Sequence, residues 1–155
     1  MELKTKVTAE DGKQDLYITR EFDLPVELLF KAHTDAGLLA QWMGTRIVKL
    51  ESKKHGSYRF ETSDGSGNIV FGANGTIHEL IPDKKIIRTF EMEGAPFGVQ
   101  LEVYDFERLN NSTSRLTMHT IYETAAQRDQ LLKLPFAQGL NYAHGRLEET
   151  MKKLK

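Results

Sequence analysis

A chain of 155 residues, 39% apolar and 28% charged, is long enough for one real core, and folding at this length hides roughly 70% of the surface the unfolded chain exposes. Its 21 Lys and Arg stand against 22 Asp and Glu, a net charge of -1, so no bulk field favours a phosphate backbone and no nucleic-acid partner is expected. The absence of cysteine removes disulfides, thiolate nucleophiles and sulfur-ligated zinc, and fits a reducing compartment, by expectation the cytoplasm.

From Met1 to Val7 apolar and polar residues alternate, without the basic patch and apolar run of a leader, and no stretch approaches a membrane span. Residues 3–7, the polar turn Glu10-Asp11-Gly12-Lys13 and residues 16–24 predict a hairpin with Ile18 and Phe22 on one face. Arg20 shares that parity, which points it inward toward a carboxylate partner, most simply in a structural salt bridge. Pro25 stops the strand and suits the first position of a helix over 25–32, with Val26, Leu29 and Phe30 on one stripe. Asp35 is placed to cap a second short helix carrying Leu38, Leu39 and Trp42, which Gly44 ends.

Turn chemistry then separates six strands, 46–51, 57–62, 68–81, 85–92, 99–109 and 114–122. Tyr58 and Phe60 share a face of their strand, as do Phe71, Ala73 and Ile77 of theirs and Leu116, Met118, Thr120 and Tyr122 of the last; the opposite faces are more polar. Asn74-Gly75 fits either a hairpin turn or a bend in one long strand, and the bend is the reading adopted here. Residues 124–155 read as helix, with Leu132, Phe136, Leu140, Ala143, Leu147, Met151 and Leu154 at steps of three and four and a kink or restart at Pro135. That stripe needs a cover, and the apolar face of the sheet is the only one of matching length.

The order of these elements, and several local sequences, resemble the START-like SRPBCC proteins, specifically those similar to the activator of the heat-shock protein 90 ATPase. The resemblance is carried by residues 18–25 (ITREFDLP), Leu29-Phe30-Lys31-Ala32, Thr34-Asp35, residues 38–44 (LLAQWMG), Gly56-Ser57-Tyr58-Arg59-Phe60, residues 75–82 (GTIHELIP), and Gly139-Leu140 with Leu147 seven residues after Leu140. It implies a single α+β domain over 1–155 with a helix-grip (START-like, Bet v-like) fold. In that fold a curved antiparallel sheet of six to seven strands wraps a long C-terminal helix, with two short helices after the first strand. It also implies a central apolar cavity and no cofactor or metal. The chain departs from the family where a second Trp, and a Pro after the Gly, are usual: Met43 and Thr45 stand there. Leu140 and His144 replace the usual Trp and Leu of the final helix.

No Gly-rich phosphate loop, no Gly-x-Ser-x-Gly elbow and no His-Glu-x-x-His occurs among residues 1–155. The expected site is therefore a cavity bordered by Trp42, Phe60, Phe71, Met118, Phe136, Leu140 and His144, for a lipid-like or aromatic small molecule, without catalytic residues. Tyr58 and Tyr142 fit either this wall or a filled core. Trp42 reads equally as a stacking residue or as a core anchor. His144 reads as a ligand-orienting group or as a satisfied edge histidine. His78 and His119 are expected to face solvent. Two other functions stay open: a co-chaperone-like module with a chaperone partner, and a cavity enzyme of cyclase or hydrolase type using His144 with Glu148 or Arg20. Oligomeric state has no signature in the sequence.

Overall fold

The computed structural model describes residues 3–155; Met1 and Glu2, the first two positions of the alternating N-terminus, lie outside the described residues. Among the described residues eight strands and four helices follow in the order β1 (Lys6–Thr8), β2 (Asp15–Phe22), α1 (Val26–Thr34), α2 (Ala36–Met43), β3 (Arg46–Leu50), β4 (Ser57–Ser63), β5 (Ile69–Ile81), β6 (Lys85–Met92), β7 (Val99–Arg108), β8 (Ser114–Ile121), α3 (Ala125–Leu132) and α4 (Phe136–Lys152). All strands join one antiparallel sheet in the order β1-β2-β8-β7-β6-β5-β4-β3. The helix-grip expectation holds, with eight strands rather than six or seven, because the N-terminal hairpin contributes two strands to the same sheet.

Strands β2 and β3 follow each other in the chain but sit near opposite ends of the sheet, so α1 and α2 carry the chain across. The Asp35 carboxylate accepts from the Leu38 amide at 3.0 Å, and Gly44, at φ 67°, ends α2 in the left-handed region. Pro25 precedes α1 instead of opening it: its ψ of 149° is extended, and its carbonyl accepts from the Leu29 amide. Strand β5 runs unbroken through Asn74-Gly75 and bulges between Ile77 and Glu79. At Gly75 the strands come so close that a Cβ would lie 2.0 Å from the Thr89 carbonyl oxygen and 2.4 Å from the Tyr58 hydroxyl.

Alternation puts Leu16, Ile18, Phe22, Tyr58, Phe60, Tyr104, Phe106, Leu116 and Met118 into the core. The opposite face carries ion pairs such as Arg115 with Glu21 and Glu107. Pro135 restarts the last helix instead of kinking it, and the restart shifts the phase of the apolar stripe. Leu131 is buried in place of Leu132, which is exposed, as is Leu154 beyond the end of α4. Leu147 and Met151 are fully buried. Helix α4 packs on α1 and α2 and is tied to β2 at several points. Arg20 reaches the Asn141 carbonyl (3.2 Å) and Glu148 (3.2 Å), and Glu148 also accepts from the Asp23 amide. No helix is long and apolar enough to cross a membrane among the described residues.

Candidate functional site

Between the inward face of the sheet and helices α2 and α4 lies a cavity of about 270 Å³. Six of the seven residues expected at such a site border it: Trp42, Phe60, Met118, Phe136, Leu140 and His144. Phe71 does not. It lies on the inward face of β5 but two residues nearer the β4–β5 turn than Ala73, roughly 7 Å further along the strand, where it packs half-buried on the edge of the core. Tyr58 is core, its hydroxyl donating to the Thr89 carbonyl, and Tyr142 is exposed on the outer side of α4.

Trp42 is a core anchor whose ring also meets the cavity. Its indole N–H donates to the Ala32 carbonyl at 2.8 Å, which anchors it in the core, while its ring forms part of the cavity wall between His33 and His144, with centroids 5.4 and 6.5 Å away. His144 is buried, its Nδ1 2.9 Å from the Thr5 hydroxyl, and its ring stands edge-on to Phe22. Burial holds it neutral, with its pKa lowered to about 3. His144 and Glu148 do not pair, because Glu148 is committed to Arg20 and the Asp23 amide. His78 is exposed and His119 faces outward, stacked on Tyr17 and bonded to Asp15.

Of the polar end of the cavity, strand parity in the sequence placed only Thr120 on the inward face; Arg88 and Glu102 were not singled out. Arg88, Glu102 and Thr120 occupy directly opposed positions on β6, β7 and β8, forming a row across three adjacent strands. Arg88 Nε donates to Glu102 Oε1 at 2.8 Å and Nη2 to the Tyr104 hydroxyl at 2.8 Å; that hydroxyl donates to Glu102 Oε1 (3.2 Å), and the Gln100 amide fills Oε2 (2.8 Å). The guanidinium also lies over the Tyr58 and Tyr104 rings, 4.7 and 5.0 Å from their centroids. Burial pushes the Tyr104 hydroxyl well above the usual phenol range, so it stays a donor. His33, at the same end, touches the Tyr104 ring at 5.8 Å and donates from Nδ1 to the Leu29 carbonyl at 2.9 Å. It is half-buried and is one of the residues that line the cavity. Burial, with the Arg88 charge adding to it, lowers its pKa to about 4. The signal for this cluster was strand parity: Arg88 alternates with Ile86 and Phe90, and Glu102 with Tyr104 and Phe106.

Among the described residues no three His, Cys, Asp or Glu side chains gather as a metal site requires. No curated protein matches the sequence. Solved structures do. A crystal structure of a protein from Rhodobacter sphaeroides aligns with a TM-score of 0.82 at 21% identity, covering 97% of this chain and all of that one. A solution structure from Arthrobacter aurescens gives 0.83 at 15% identity, covering 96% and 91%, and a crystal structure from Nitrosomonas europaea gives 0.77 at 24%, covering 96% and 100%. At these identities the likeness establishes the fold alone. The family model described as activator of Hsp90 ATPase homolog 1-like protein matches residues 23–152, and the chain belongs to that family.

Proposed function

We propose that the protein is a non-enzymatic binding domain that holds a lipid-like or aromatic small molecule in the cavity between the sheet and α4. The observation that carries this reading is the cavity itself, walled by Ile18, Leu39, Phe60, Met118, Phe136 and Leu140. Protein interiors are packed like organic crystals, with few voids larger than a water molecule. A space of about 270 Å³ with mostly apolar walls is well above that, and is of the kind that small-molecule sites use. The acid–base pair a hydrolase or cyclase would draw on, His144 with Glu148, is instead spent on Thr5 and Arg20.

Native mass spectrometry and a thermal-shift screen with apolar ligands test the proposal. A ligand at a hundred times its Kd adds about 2.7 kcal/mol, a shift of roughly 5–10 °C at this size. No bound species and no shift across the screen would remove the reading. A chaperone partner is the second reading, favoured by the family match. A change in chaperone ATPase rate on adding the protein would support it.

A further inference from the structure

The outer face of the sheet, turned away from the cavity, carries an apolar band. Register places Tyr17, His119, Val103 and Ile87 side by side across β2, β8, β7 and β6, with Ile121, Leu101 and Thr89 in the next row. Alternation turns them all away from the buried Ile18, Met118, Tyr104 and Ile86. Tyr17 is 48% exposed and Leu101 38%, and the Tyr17 ring stacks on His119 with centroids 4.1 Å apart. Charged rows flank the band. On one side Arg115 pairs with Glu21 and Glu107, and Lys85 with Asp105. On the other stand Lys13, two residues before Asp15, and Glu91 on β6; neither forms a salt bridge among the described residues.

We infer that this band is the meeting face of a symmetric dimer, in which a second copy of the chain packs sheet to sheet through β2, β8, β7 and β6. Packed sheets keep their strands aligned to within about 30°, so the two-fold axis lies in the interface, along the strands and between β8 and β7. Strand β8 of each copy then covers β7 of the other, and β2 covers β6. Tyr17 meets Ile87 and Ile121 meets Leu101, each contact occurring twice. The same operation sets Lys13 against Glu91 and Arg115 against Glu107, and no like charges oppose each other within the four strands. A face that complements itself in this way argues for a second copy over a different partner. Four strands about 4.8 Å apart, over roughly nine residues of about 3.4 Å, give on the order of 600 Å² per copy. The total of roughly 1,200 Å² is at the low end for specific interfaces, which fits a dimer in exchange with its monomer.

Sedimentation equilibrium over a concentration range of about 1 to 500 μM tests this, independently of any guest in the cavity. The wild-type chain is expected to pass from monomer to dimer within that range. Leu101→Glu, at an exposed position, should stay monomeric throughout while keeping the parent's circular dichroism spectrum. Lys13→Glu should weaken the dimer about tenfold, because it turns two attractive pairs into repulsive ones. Adding Glu91→Lys to that variant should bring the dissociation constant back to within about threefold of the parent. A wild-type chain that stays monomeric at every concentration would overturn the inference and leave the band to another partner. A dimer that survives Leu101→Glu would overturn the choice of face. A double charge reversal as weak as Lys13→Glu alone would overturn the register.

Discussion

Glu102 stands directly opposite Arg88 across β6 and β7, Oε1 to Nε at 2.8 Å, with both side chains turned toward the mostly apolar inward side of the sheet. A buried pair of this kind adds little net stability over apolar residues, but losing one partner strands a charge. Glu102→Ala should therefore cost about 3–5 kcal/mol in urea denaturation, whereas the double change Arg88→Met with Glu102→Leu should recover most of it. Equal losses in the single and double variants would mean that the pair is not what holds this end together.

The two cavity histidines make stability fall with acid. Each has a folded pKa, about 4 for His33 and about 3 for His144, below the 6.5 of the unfolded chain. Between those values the unfolded state binds protons that the folded state refuses, so stability is intact above pH 6.5 and is lost as pH falls toward 4 and 3. At pH 5 the loss is about 2 kcal/mol per histidine. Melting curves from pH 7.5 to 4.5 should show this slope, and His33→Leu should flatten it; an unchanged slope in that variant would assign the acid sensitivity elsewhere.

Gly75 marks a close approach between strands. Gly75→Ala would push a methyl into the Thr89 carbonyl and the Tyr58 hydroxyl, and should cost 3 kcal/mol or more, at the scale of overpacking a rigid core. Gly65→Ala, where a Cβ meets nothing within 4 Å, should stay within about 0.5 kcal/mol of the parent. Urea midpoints of the two variants give the comparison directly.

Arg20, on β2, ties the segment before β1 and helix α4 together from one buried position, contacting Thr5, Asn141 and Glu148. Arg20→Met should lower stability by about 3 kcal/mol, because Glu148 and the Asn141 carbonyl lose their donor under the last helix. Faster hydrogen exchange in α4 should accompany the loss; unchanged exchange there would place the effect in the sheet alone.

Most of the fold was legible because its signals are local. Gly44 and Asp35 set the ends of α2, strand alternation fixed the inward face, and Arg20 was correctly turned inward by parity alone. What escaped had non-local causes. The phase of the last helix depends on how far Pro135 resets it, which moved the buried position from Leu132 to Leu131. Phe71 obeys parity yet sits beyond the cavity, because parity gives a face and not a depth along the strand. The Arg88–Glu102–Thr120 row was readable by the same parity that turned Arg20 inward. It was obscured because charged residues in strands are ordinarily assigned to the wet side.

Trp42, the only tryptophan, forms part of the cavity wall, and its fluorescence therefore reports directly on an occupant. Titration with 1-aminoanthracene, an apolar acceptor of indole emission, should give saturable one-to-one energy transfer from Trp42 that Ala143→Phe, which adds bulk to the cavity lining from α4, abolishes without lowering the melting temperature. Transfer that never saturates, or that persists unchanged in the filled variant, would contradict a cavity built to hold a guest.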